Sequence, residues 1–226
     1  MTTYLRQLWA IAEKDLRVEL RTGERVAAMG AFVVLAGVLF NYSIDRTALH
    51  PREIAAGLIW MIIVLSGLLG IGRTFELEKG DGAMEGLLLA PVPRDALYLG
   101  KVLANVLLLG MVVLLTLFVV ALFFDVNLLP NLLWILAVLA TGVIGFVALG
   151  TLFSAISAGT RIGETLLPVL LFPLLVPLVV FGAAATSSLI GGFPPELVYG
   201  NLRVLAGFSL IALVAGMGLF RFIVEE

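Results

Sequence analysis

The chain has 226 residues, 61% of them apolar and 13% charged, with a mean hydropathy of +1.13 and a formal net charge of −2. Soluble domains are about half apolar and about a quarter charged, so this sequence has too little polar surface to stay dissolved, and its solvent is lipid. The charge balance argues against a nucleic-acid partner. The absence of cysteine excludes disulfides and thiolate-held metals or clusters, and a single histidine, His50, excludes a His-rich metal site within the chain.

Residues 4–24 come first. Leu5, Leu8, Trp9, Ala12, Leu16 and Leu20 recur at helical spacing, and Arg6, Lys14, Arg17 and Arg21 lie mostly away from that stripe. Such a helix is expected in the membrane interface, apolar face in lipid and basic groups near headgroups. Its plainer account is a positive anchor for the first span. The first apolar run begins only at Val26, behind many charges of both signs, whereas a cleavable leader has a short basic region directly before its apolar stretch. The N-terminus is therefore expected to be retained.

Six stretches are long enough to cross a bilayer, which takes roughly 20 mostly apolar residues. They are 26–44, 54–72, 102–124, 132–153, 166–185 and 204–220, and none contains Lys, Arg, Asp or Glu. The runs are continuous rather than alternating, which selects helices over a β-barrel. The expected architecture is one all-α transmembrane domain over 1–226. Eleven of the 14 basic residues fall in the N-terminal segment, the 73–101 loop, the fourth-to-fifth loop and the C-terminal tail. The other side has only Arg46 and Arg52, with Arg203 at a boundary. The richer side is expected to be cytoplasmic, with both termini inside.

Between the first two spans lies His50, followed by Pro51. An exposed imidazole can ligate heme iron or another metal, and the competing account is a solvated loop histidine.

The loop 73–101 is long and too polar at its start for lipid. Lys79-Gly80-Asp81-Gly82 is a turn signal, and a short apolar helix is expected over 83–89 with Glu85 in its first turn, where a carboxylate suits the helix dipole. Pro91 and Pro93 stop it, and Pro93 and Asp95 suit the start of the next helix. Exposed Met84, Leu87 and Leu88 need a cover. On pattern alone the membrane surface and the cleft of a partner protein serve equally well.

In the fourth span Ala137, Thr141 and Gly145 lie four apart, and Ala212 and Gly216 do so in the sixth, a spacing for close helix packing within or between chains. The fifth span holds Pro168, Pro173 and Pro177. One proline reads as tolerated irregularity, but three within ten residues point to a functional bend.

No Walker A loop is present. Lys101 alone among the lysines follows a glycine, and Val102 stands where Ser or Thr is needed. The charge-free spans offer no carboxylate relay for protons or Na⁺, so any transport draws its energy from elsewhere. No acid, base and nucleophile cluster, and the chain is not expected to be an enzyme.

This order of elements resembles the permease subunits of type-2 ABC exporters: an interfacial helix, six spans and a long loop after the second. The family's loop carries a coupling helix that docks into an ATPase subunit, with a pattern of paired acids, Gly, Glu, Leu and Pro. Glu76, Glu78, Gly82, Glu85, Leu88 and Pro91 match it in order, which favours docking of Met84, Leu87 and Leu88 over membrane-surface binding. Within that fold the sequence most resembles the heme exporter protein B (CcmB) family of cytochrome c maturation. The resemblance rests on two runs and on overall length and span spacing. One run extends from Phe75-Glu76-Leu77-Glu78 to Met84-Glu85-Gly86-Leu87-Leu88-Leu89-Ala90-Pro91. The other is the span bearing Pro168, Pro173 and Pro177.

The resemblance implies a bacterial inner-membrane location and several partners. These are a cytoplasmic ABC ATPase (CcmA-like), a heme-handling membrane subunit (CcmC-like), a small one-span subunit (CcmD-like), a periplasmic heme chaperone (CcmE-like) and a possible second copy of this chain. ATP would act through the ATPase, and heme would be cargo rather than a resident cofactor. The heme-handling subunit's tryptophan-rich segment with flanking histidines is missing, since Trp9, Trp60 and Trp134 are scattered. The alternatives are an exporter permease for a lipid, polysaccharide or drug, and a non-transporting scaffold for the ATPase.

Overall fold

The computed structural model describes residues 2–44, 50–75, 92–158 and 163–224. Seven α-helices order them: α1 (Thr2–Thr22), α2 (Glu24–Ser43), α3 (Pro51–Ile71), α4 (Arg94–Phe124), α5 (Leu132–Ala158), α6 (Gly163–Ile190) and α7 (Tyr199–Val224). Short 3₁₀ turns at Leu129–Asn131 and Pro195–Val198 lead into α5 and α7. The six helices from α2 to α7 are each long and apolar enough to cross a membrane. The chain is thus an all-α protein with a six-span architecture. Lipid leaves the backbone no partner but itself, which is why the long apolar runs fold this way.

Helix ends follow local chemistry. Gly23 adopts φ 68°, a left-handed conformation that glycine takes without strain, and this turns the chain between α1 and α2. Its N–H bonds to the Glu19 carbonyl at 2.7 Å. Pro93 caps α4 and Asp95 lies in the first turn, as the sequence suggested. The helix then runs 31 residues, about 46 Å at 1.5 Å per residue, longer than a hydrocarbon core of about 30 Å. It therefore begins well before the apolar run at 102.

The most enclosed helix is α3, buried along most of its length and packed against α2, α4, α5 and α6. Trp60, at its centre, is 1% exposed and lies between Gly142 of α5 and Gly182 of α6. A Cβ on either glycine would come within 2.2 Å of the indole. The ring N–H donates to Thr186 Oγ1 at 3.1 Å, which satisfies the one polar atom of this buried side chain.

The small residues of the fourth and sixth spans pack against neighbours within this chain. Ser209 of α7 donates to the Thr141 carbonyl of α5 at 2.8 Å, beside Gly145. Gly216 of α7 packs on the Tyr98 ring of α4, whose hydroxyl donates to the Ala148 carbonyl at 2.9 Å. These pairings place the start of α4 and the end of α7 at one end of the bundle, together with α1. Hydrogen bonds from Asn41 to the Phe123 carbonyl and from Asn131 to the Leu189 carbonyl mark the opposite end. Both terminal helices therefore share an end.

Candidate coupling site at the loop end of the bundle

The loop expected to dock a partner begins at the end that holds α1. Glu76, Glu78, Gly82, Met84, Glu85, Leu87, Leu88 and Pro91, with the short helix over 83–89, lie outside the described residues. Phe75 lies inside them and is only 1% exposed. Its ring is 6.1 Å from that of Phe220, which is 5.5 Å from Tyr98. This aromatic plug ties the root of the loop to the start of α4 and the end of α7.

A buried polar network surrounds Thr74, one residue earlier. Lys101, one of the chain's three lysines, is 1% exposed. Its ammonium donates to Asp15 Oδ2 of α1 at 3.2 Å and to the Thr74 carbonyl at 3.1 Å, and it stands 4.7 Å from the centre of the Phe75 ring. A charge this enclosed is tolerated only when paired and hydrogen-bonded, and both conditions hold here. Lys14 approaches the other Asp15 oxygen at 2.9 Å as an ion pair, without hydrogen-bond alignment.

One turn along α4, Asn105 continues the network. Its amide donates to Thr74 Oγ1 at 3.1 Å and to Thr151 Oγ1 of α5 at 3.2 Å, and its carbonyl accepts from Arg25 of α2 at 2.7 Å. Arg25 in turn sits 3.6 Å from Glu19 Oε2. The second oxygen of Glu19 accepts the Val26 N–H at 2.9 Å, and so caps α2 from the preceding helix. Two charge pairs, Lys101–Asp15 and Arg25–Glu19, are thus joined through one amide and one threonine, where four helices meet the turn that follows α3.

Helix α1 has three faces. Ile11, Ala12 and Glu19 are buried, with Ile11 against Gly100, where a Cβ would lie 2.9 Å from the Leu8 carbonyl. Leu5, Trp9 and Leu20 are 58%, 54% and 73% exposed, and Arg6, Arg17, Lys14 and Arg21 flank them. The expected apolar stripe is therefore divided: Ala12 faces the bundle while Leu5, Trp9 and Leu20 face outward. Tyr4 donates to Asp95 Oδ2 at 2.9 Å. Burial, the hydrogen bond to Asp95 and the nearby carboxylate charge push the Tyr4 phenol above its ordinary value.

The remaining sequence candidates lie apart from this network. His50 is exposed at the opposite end, preceding α3, with no side-chain bond to the helix end. Among the described residues no three His, Cys, Asp or Glu side chains gather in a way that would hold a metal. Pro168, Pro173 and Pro177 all lie inside α6, which remains one helix through them.

The sequence did not single out Lys101, Asp15, Asn105, Arg25 or Glu19 as members of one site. Lys101 served there as a loop charge. Its usable signal was Asn105, a polar residue inside an apolar run one turn after the only lysine near a span.

A family model for the CcmB protein matches residues 6–220. The heme exporter protein B of Rhodobacter capsulatus is 32% identical over 202 residues, spanning 88% of this chain and 90% of that protein. The heme exporter protein B of Paracoccus denitrificans is 31% identical over 212 residues, spanning 93% and 97%. That of Escherichia coli strain K12 is 32% identical over 209 residues, spanning 92% and 90%. The similarity runs through the whole bundle and both ends of the loop.

Proposed function

The chain belongs to the CcmB protein family, and we propose on that premise that it is the permease-like membrane subunit of an ABC transporter acting in cytochrome c maturation. The observation that carries this is the near full-length match to heme exporter proteins. It is supported by a bundle whose long inter-span loop springs from a rigid, charge-paired root. ATP binding and hydrolysis belong to a separate CcmA-like subunit, and this chain converts them into helix movement. Heme delivery, or release of a heme-loaded CcmE-like chaperone, is the output, with CcmC-like and CcmD-like subunits as neighbours. The termini face the cytoplasm, and α1 lies in the inner leaflet's interface with Leu5, Trp9 and Leu20 in lipid.

In this reading Glu76, Glu78, Glu85, Met84, Leu87 and Leu88 engage the ATPase, Gly82 and Pro91 bound the docking helix, and Phe75 anchors its root. The flexible element is α6. Each of its prolines lacks an N–H, so the carbonyls of Val169 and Pro173 lose the donors that Pro173 and Pro177 would otherwise supply. Weaker hydrogen bonding along one stretch makes a bend inexpensive there.

The test is Glu85→Lys in the assembled complex. Reversing a charge buried against a partner leaves an unpaired charge on each side, at about 3–5 kcal/mol, enough to abolish recruitment. ATPase co-purification or membrane-stimulated turnover is expected to be lost. Unchanged recruitment and turnover would remove Glu85 from the interface. Restoring cytochrome c maturation in a strain that lacks its own subunit separates this function from export of another substrate. A non-transporting scaffold predicts that coupling variants which assemble normally still support maturation.

A further inference from the structure

We propose that Lys101 is a positioning residue that locks α1 to the root of the loop, so that the amphipathic helix moves with the loop as one lever during the nucleotide cycle. The inference rests on the coupling function proposed above and assigns that function a second moving part.

Three observations carry it. First, the attachments of α1 run chiefly to the first turns of α4. Tyr4 bonds Asp95, Ile11 seats on Gly100 and Asp15 pairs with Lys101. Its contacts with α2, the next helix in sequence, are few by comparison. Second, the same Lys101 ammonium holds both sides of the loop. It belongs to the helix that follows the loop, and it binds the Thr74 carbonyl and covers the Phe75 ring on the side that precedes it. A displacement of the loop relative to the bundle must therefore break these contacts or carry Asp15 with it. Third, a cavity of about 100 Å³ lies on the α2 side, lined by Asp15, Glu19, Arg25 and Thr74 among others, so α1 is not packed solidly where it would swing. The contacts with α4 are short and buried; on the α2 side the cavity lies beside the Glu19 contacts to Arg25 and to the Val26 N–H, about which α1 would pivot. The lever's outer edge is the exposed ridge of Leu5, Trp9 and Leu20.

The chain has no cysteine, so paired spin labels can be introduced without removing native residues. Labels at Arg6→Cys, exposed on α1, and Leu133→Cys, exposed at the opposite end of the bundle, report the position of α1 relative to the fixed helices. In the full complex, the distance is expected to change by about 2 Å between the nucleotide-free and ATP-trapped states, the size of shift packed helices undergo. Lys101→Met should abolish the change while the ATPase still co-purifies. Asp15→Asn, which loosens the same contact from the α1 side, should do likewise and serves if the first variant fails to assemble. A wild-type distance that ignores nucleotide overturns the lever. A change that persists in both variants overturns the role of Lys101. Failure of the wild-type chain to recruit an ATPase would refute the coupling function itself, and the lever with it.

Discussion

Substituting Gly182 by alanine tests how the bundle is held. A Cβ at Gly182 would lie 2.2 Å from Cζ2, 2.5 Å from Cε2 and 2.6 Å from Cη2 of Trp60. Carbon atoms rest about 3.5–4.0 Å apart, so more than about 1 Å must be found. The three atoms belong to one rigid ring, which is also in close contact with Gly142 and is tethered to Thr186. The strain therefore falls on the α3–α6 spacing, at about 1–3 kcal/mol. Replacing glycine by alanine inside a helix returns about 1 kcal/mol. The net expectation is a loss of up to about 2 kcal/mol. Gly207 of α7 supplies the control, because nothing lies within 4 Å of its Cβ position. There only the favourable effect remains, so Gly207→Ala is expected to stabilise by at most about 1 kcal/mol. Unfolding of the purified protein in one detergent, followed by tryptophan emission and by helix content, measures both. Trp60→Phe removes the crowding atoms, so its combination with Gly182→Ala should cost less than the sum of the two. Gly182→Ala stabilising the protein as much as Gly207→Ala does would refute the clasp.

The ionic pair gives a second expectation. Asp15→Asn leaves the Lys101 ammonium enclosed without its counter-charge, a loss of about 3–5 kcal/mol, whereas Asp15→Leu combined with Lys101→Met removes both charges and should recover all of it or more. A double-mutant cycle read by thermal unfolding checks this, and strict additivity would argue against the pair. A third concerns pH. The Tyr4 phenol is held above its ordinary value in the folded chain, so its contribution to stability is fully present below about pH 10, the unfolded value, and is lost as pH rises through the higher folded one. Tyr4→Phe should flatten that alkaline loss in a melting-temperature profile, and an unchanged profile would show that Tyr4 is not its source.

Much of the architecture was legible because lipid imposes a simple rule. A charge-free run of helical length has one stable conformation in hydrocarbon, and the six runs became six helices. Turn chemistry was legible for the same local reason, as at Pro93 and Asp95. The spacing of Thr141, Gly145, Ala212 and Gly216 announced close packing but not its partner. Whether two small faces meet within one chain depends on where α5 and α7 lie around the bundle, and periodicity along one helix carries no such information.

Lys101 shows where sequence reasoning of this kind stops. Hydropathy ends a span at its last charged residue, so an apolar run from Val102 makes Lys101 a loop charge and assigns it to topology. The helix instead continues back to Arg94, and the same residue becomes the most enclosed cation of the described chain. What changes its meaning is Asp15, 86 residues earlier in the sequence, on a helix whose amphipathic pattern described only its relation to lipid. A carboxylate on the protein-facing side of α1 and a lysine at the foot of α4 are each unremarkable alone, since surface charges there suit the headgroup region. Together, enclosed and anchored on the Thr74 carbonyl, they cost too much desolvation to be incidental surface charges, and stability alone does not call for them: an apolar pair of the same volume would hold the helices as well or better. A buried ion pair kept at the root of the one long loop is therefore best explained by a requirement for fixed geometry between α1 and that loop. That requirement predicts that a double variant with matched apolar residues folds normally but no longer couples ATP turnover to maturation. A double variant that both folds and couples as well as wild type would reduce the pair to packing.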